Sequence, residues 1–191
     1  MKKILLLLAD GFEILESSAF IDVMGWNLEE GNGSTQLFSC GLKKEIKSSF
    51  NQNFTVDFLI KDIEVGSYDA LAIPGGFESY GYYKDAYNEK FLSIIREFNQ
   101  ENKIIASVCV GALPVAKSGI LIDKNATTYN SELRRNKLKE FGVNVLNKNI
   151  IVDGKIITSK GPSTAIEVAF LLLEKLSSID NAKKVKKLMG Y

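Results

Sequence analysis

The chain has 191 residues, with 24 Lys and Arg against 23 Asp and Glu. That length supports one well-buried core and is short for two, so residues 1–191 are expected to form a single domain. The near-zero charge excludes the basic field that would hold nucleic acid or an anionic membrane, and neither is expected as a partner.

The chain opens on Met1-Lys2-Lys3 and the apolar run Ile4 to Ala9. The run is short, and Asp10-Gly11-Phe12-Glu13 follows it where an export signal would place a small-residue cleavage site. It reads as a first strand buried on both faces. No stretch approaches the ~20 apolar residues that a membrane span needs. A helix is expected from Glu13 to Glu30, ending near Gly31 and Gly33, and then a strand from Thr35 to Cys40. Lys43 to Leu59 lacks a helical period and reads as a small hairpin excursion. Ala70 to Ile73 is a buried strand stopped by Pro74-Gly75-Gly76, and Phe91, Leu92, Ile94, Ile95 and Phe98 mark a helix within Ala86 to Glu101. Lys103 to Val108 is a buried strand, and Val110 to Lys117 a helix ending at Gly119. A helix from Ser131 to Phe141, strands at Val143 to Val145 and Ile150 to Ser159, and an apolar helix from Ser163 to Leu176 complete the pattern. The lysine-rich run Asn181 to Met189 reads as a solvated face with Val185, Leu188 and Met189 on the core.

Strands alternating with helices imply a mostly parallel sheet with helices on both faces, an α/β sandwich. Such sheets place their sites at the carboxyl ends of the strands. Three turns end there: Asp10 to Glu16, Pro74 to Glu78, and Val108 to Gly111. Trp26 and the tyrosines Tyr80, Tyr82, Tyr83 and Tyr87 cover either a dimer face or a pocket mouth; the sequence leaves both open.

Cys109 sits between Ile104-Ile105-Ala106-Ser107-Val108 and Val110-Gly111-Ala112. An isolated cysteine is commonly core filling. A nucleophile elbow instead needs small residues two before and two after the reactive group, because strand and helix nearly touch there, and Ser107 and Gly111 meet that need. A helix N-terminus behind Cys109 would favour the thiolate and lower its pKa. Cys40 lacks this context and reads as structural. Two cysteines are too few for a disulfide framework, so a reducing, cytoplasmic setting is the simpler expectation. The sequence contains no histidine, which removes an imidazole base, acid or metal ligand from this chain's chemistry. Neither a metal nor a cofactor is called for. Pro74-Gly75-Gly76 is a tight turn whose N–H groups can also meet a developing oxyanion. Glu16 begins the first helix, and a protonated carboxyl beside a thiolate would stabilise it where an ionised one would not.

Leu8-Ala9-Asp10-Gly11-Phe12-Glu13-Ile14-Leu15-Glu16, Ile73-Pro74-Gly75-Gly76, Ala106-Ser107-Val108-Cys109-Val110-Gly111 and Thr158-Ser159-Lys160-Gly161-Pro162-Ser163-Thr164-Ala165 resemble, in order, the motifs of the DJ-1/PfpI (ThiJ) superfamily. The likeness spans essentially the whole chain and lies nearer the DJ-1/ThiJ branch than the peptidase branch. It implies a flavodoxin-like three-layer sandwich of the class I glutamine-amidotransferase type, usually a homodimer. It also implies Cys109 as nucleophile, Glu16 as its proton partner, and Gly75, Gly76 and the Val110 N–H lining an oxyanion pocket. The peptidase-like branch has a histidine directly after the cysteine, where this chain has Val110, so peptidase activity is disfavoured. The glyoxalase and deglycase branch carries Thr-Thr-His, where Thr127-Thr128 is followed here by Tyr129, which is assigned to substrate binding. Cys109-Val110-Gly111-Ala112-Leu113 also looks like the isonitrile hydratase elbow, a branch that has aspartate in place of Glu16 and threonine in place of Val110. The expected activity is cysteine-dependent chemistry on a small electrophile, of glyoxalase or deglycase type or a related hydrolase or hydratase. The alternative is a redox-responsive, chaperone-like protein that uses oxidation of Cys109.

Overall fold

The computed structural model describes residues 1–191. In chain order the elements are β1 (Lys2–Leu8), α1 (Ile14–Glu29), β2 (Thr35–Gly41), β3 (Glu45–Lys47), β4 (Asn53–Thr55), β5 (Phe58–Leu59), β6 (Ala70–Ile73), α2 (Tyr82–Ala86), α3 (Glu89–Gln100) and β7 (Ile104–Val108). Then come α4 (Ala112–Lys117), β8 (Asn125–Ala126), α5 (Glu132–Glu140), β9 (Asn144–Val145), β10 (Ile150–Asp153), β11 (Ile156–Ser159), α6 (Ala165–Leu176) and α7 (Ile179–Leu188).

The main sheet runs β10-β11-β7-β6-β1-β2-β5, parallel throughout except for the β10–β11 pair. The central strands β1 and β6 are apolar and buried on both faces, which only helices on both sides can achieve. Helices α1, α6 and α7 pack together on one side, and α3, α4 and α5 on the other. This is the expected α/β three-layer sandwich, and the crossover from β6 to β7 is the predicted helix.

Several local expectations are corrected. The Lys43–Leu59 excursion is a hairpin only over β3 and β4, paired Ile46 to Phe54, while Phe58 and Leu59 add a parallel edge strand beside β2. The Ile150–Ser159 strand is two antiparallel strands, folded back at Gly154, whose φ of +59° suits a residue without Cβ. The Ala86 helix begins later, because the Asn88 side chain accepts from the Lys90 N–H at 3.0 Å and caps α3 there. In α7, Val185 is buried and Met189 packs against the core, but Leu188 is 45 % exposed. No helix is long and apolar enough to cross a membrane.

The hairpin braces the turn that carries the first motif. The Gly11 N–H donates to Lys47 O at 2.6 Å and the Ser49 N–H to Phe12 O at 2.8 Å. Asp10 accepts from the Lys47 N–H at 3.1 Å and pairs with Lys43. α1 therefore leaves this turn in a fixed direction, burying Phe20, Val23 and Met24 and turning Glu16 inward. Gly25, mid-helix and exposed, has no atom within 4 Å of a hypothetical Cβ. Gly25→Ala is expected to raise stability by about 0.5–1 kcal/mol, the helix-propensity difference, measured by urea denaturation.

Candidate active site

Two approaches between backbones build the elbow. Cys109 has φ +57°, a left-handed conformation costly for a residue with a Cβ, between β7 and a 3-10 turn that leads into α4. A Cβ on Gly111 would lie 2.7 Å from Ile73 O, and one on Gly75 would lie 2.9 Å from the Cys109 Cβ. Ser107 is fully buried, as the elbow spacing requires. The Thr128 hydroxyl donates to Cys109 O at 2.9 Å and pins the strained residue from outside the motif.

Glu16 is completely buried, and its Oε2 accepts from the Gly75 N–H at 2.6 Å. Its Oε1 has no donor among the protein atoms. That oxygen is the natural seat for a proton, since a carboxyl O–H can donate where a carboxylate oxygen would be stranded. Burial, with the Glu13 charge adding to it, lifts Glu16 from 4.5 to about 7, although the Gly75 N–H and the Cys109 side chain pull it down. Burial and then the Glu16 charge push the Cys109 thiol upward, against the Val110 N–H that donates to it. The expected lowering by a helix N-terminus is therefore corrected: α4 itself starts three residues later, and desolvation wins. Glu16 and Cys109 titrate as a pair, because the Glu16 charge disfavours a charge on the thiol beside it.

The expected residues other than Gly75 come together around one cavity of about 360 Å³. Glu16, Gly76, Cys109, Val110 and Tyr129 line it, and Cys109 retains 9 % exposure. The Gly75 N–H is taken by Glu16, whereas the Gly76 N–H has no protein acceptor. Tyr129, 47 % exposed, stands at the rim. Two larger surface hollows, one along the outside of α1 and one between α6 and α7, contain none of this chemistry. Glu13, Phe77, Glu78, Arg134 and Pro162 also line the cavity and were not assigned to it from the sequence. Glu13 could have been found, being one helical turn before Glu16. Arg134 and Glu78, joined at 2.8 Å across 56 residues of chain, carry no local signal. Of the tyrosines, Tyr82 is buried behind the site with its hydroxyl on Pro74 O at 2.8 Å, and Tyr83 lies under the Arg134 guanidinium. Cys40 is buried and unpaired, as expected for a structural residue. No three His, Cys, Asp or Glu side chains converge as metal ligands.

The fold has close solved counterparts. The crystal structure of Drosophila melanogaster DJ-1beta superposes with a TM-score of 0.85 at 24 % identity, covering 98 % of this chain and 97 % of that one. Protein DJ-1 homolog B of Arabidopsis thaliana is 29 % identical over 97 % of this chain and 40 % of its own length, so the chain spans less than half of that relative. A Caenorhabditis elegans protein named glutathione-independent glyoxalase DJR-1.2 is 26 % identical over 81 % of each chain. The family model for DJ-1/PfpI matches residues 2–175, with the elbow cysteine and its buried glutamate inside the matched span, and the chain belongs to the DJ-1/PfpI family.

Proposed function

We propose that the protein is a cysteine-dependent enzyme for small electrophilic carbonyl compounds, with Cys109 as nucleophile and Glu16 as the group that carries protons. The observation that carries this reading is the unpartnered Glu16 Oε1 beside a strained cysteine at the wall of an open cavity. As the sulfur attacks an aldehyde carbon, the thiol proton passes to the Glu16 carboxylate, the S–C bond forms, and the carbonyl oxygen takes the proton back. The Gly76 and Val110 N–H groups are the donors available to that oxygen while it carries charge. For a 2-oxoaldehyde, Glu16 then removes the C1 proton and returns it at C2, giving a thioester that water cleaves to a 2-hydroxy acid. A carboxyl near 7 suits both directions of transfer at neutral pH. The absence of histidine leaves Glu16 to do both jobs.

Methylglyoxal is the test substrate. Pure protein is expected to form lactate, and Cys109→Ala to lose at least about 100-fold of the rate, as removal of a nucleophile does. Equal rates in the two proteins would remove the reading. The same reading includes a homodimer, supported by Leu15 and Trp26 exposed on one face of α1; sedimentation giving a monomer mass would remove that part. A second reading, peroxide oxidation of Cys109 to a sulfinate, is favoured by Glu16 Oε1, which as a protonated oxygen can donate to the new S–O group. Intact mass after mild peroxide is then expected to gain two oxygens at Cys109 and none at buried Cys40; oxidation of both alike would remove it.

A further inference from the structure

The cavity contains one cation. Arg134, in the first turn of α5, lines it together with Cys109 and Glu16. Its guanidinium lies 5.0 Å from the centre of the Tyr83 ring, which supports one face of the planar group. Its Nη2 donates to Glu78 Oε2 at 2.8 Å, and this is the only hydrogen bond the side chain makes. A guanidinium has five N–H donors, so most of this one's capacity is unspent at a cavity wall. The two partners are unequal. The Arg134 side chain is 22 % exposed and held by protein, whereas that of Glu78 is 64 % exposed and free to swing into water. An ion pair with so wet a partner contributes little, so a competing carboxylate displaces it at little cost.

We propose that Arg134 anchors an anionic group on the substrate, so that the cavity selects small aldehydes bearing a carboxylate over neutral ones, with Glu78 occupying the anchor until such a ligand arrives. The inference rests on, and deepens, the reading of Cys109 as a carbonyl-directed nucleophile. A carboxylate matches the fork of a guanidinium with two parallel hydrogen bonds, which an ammonium cannot reproduce. Glu13, on the same cavity wall, repels an anion placed away from the guanidinium, which adds a preference in orientation to that in charge. With the carboxylate on Arg134, the aldehyde end is left for Cys109. The sulfur adds to the carbonyl carbon, the thiol proton ends on the carbonyl oxygen by way of Glu16, and no oxidant or reductant is consumed.

Succinate semialdehyde and butanal present the same electrophile with and without the carboxylate. Reversible addition to Cys109 is measured for both as protection from alkylation. Wild type is expected to prefer the charged aldehyde by about 10-fold or more, the scale of a charge-assisted pair. That preference is expected to fall to near unity in Arg134→Gln, to recover partly in Arg134→Lys, to grow in Glu78→Gln, and to persist in the neighbouring Arg135→Gln. A mere structural latch between Arg134 and Glu78 predicts instead that Glu78→Gln leaves the preference unchanged. No preference in wild type, or one that survives Arg134→Gln, overturns the anchor. A second measurement avoids the thiol altogether: butyrate titrated by NMR into Cys109→Ser is expected to bind, and to lose binding when Arg134→Gln is added. Butyrate binding without aldehyde addition to wild type would keep the anchor and overturn the nucleophile reading. Aldehyde addition without preference, together with no butyrate binding, would do the reverse.

Discussion

Glu16→Gln is expected to abolish turnover while making the protein more stable above pH 7. Glutamine keeps the size of the side chain and the oxygen that accepts from the Gly75 N–H at 2.6 Å, but it cannot take a proton from Cys109. Losing the only proton carrier beside the nucleophile is expected to cost about 100-fold or more in kcat/KM. The stability gain follows from linkage. Glu16 is held at about 7 in the fold against 4.5 when unperturbed. Because the folded value is the higher one, the neutral form is favoured by folding. That contribution is complete below about pH 4.5, fades as pH rises through the interval, and is gone above about 7. The gap of about 2.5 units corresponds to roughly 3 kcal/mol, undiminished by solvent because the side chain is fully buried. Urea denaturation is therefore expected to show the variant ahead by about 1–3 kcal/mol at pH 8 and level with wild type at pH 4.5. Alkylation of Cys109 in wild type is expected to rise through about pH 7, as the Glu16 carboxylate becomes available to take the thiol proton. In the variant that inflection is expected to be missing. A variant less stable than wild type at pH 8 would mean that Glu16 is not an uncompensated buried acid.

The contrast between this acid and its surroundings also explains what was legible in the sequence. Motifs on separate turns could be read because each is local: an apolar strand, then a glycine or a small residue where two backbones meet. That logic gave Cys109, Gly75, Gly76 and Glu16 their neighbourhood, and the cavity gathers all but Gly75 on its wall. The electrostatics were not legible. A cysteine ahead of a helix looks activated on paper, but burial of Cys109 and the charge of Glu16 act in the opposite direction and exist only once β1, β6 and β7 are side by side. The Gly75 N–H was similarly committed to Glu16 by tertiary contact rather than left for a substrate oxygen. Arg134 was invisible because α5 presents a polar surface with only Leu138 buried, and nothing in such a helix marks one cation as facing a cavity.

Gly111→Ala is expected to show that the elbow depends on backbone contact and not on local conformation. Gly111 has φ −57° and ψ −23°, which alanine adopts without strain. The obstacle is space. The new Cβ would lie 2.7 Å from Ile73 O and 3.1 Å from Pro74 C and O, backbone atoms at the end of β6 that have no rotamer to change. Either the 3-10 turn that leads into α4 or the Pro74 turn must move, and each carries part of the site: Cys109 and Val110 on one side, Gly75 and Gly76 on the other. Overpacking of this kind typically costs 1–3 kcal/mol, and a loss of about 1–3 kcal/mol is expected. The loss in rate is expected to be larger than stability alone explains, about 10–100-fold under conditions where the variant is fully folded, because a displacement near 1 Å separates the sulfur from its oxyanion donors and from Glu16. Gly25→Ala gives the opposite sign with the same chemical change, since nothing lies within 4 Å of its Cβ. If Gly111→Ala were as stable and as active as Gly25→Ala, the close approach of β6 to the elbow would not be what holds Cys109 at its left-handed angle.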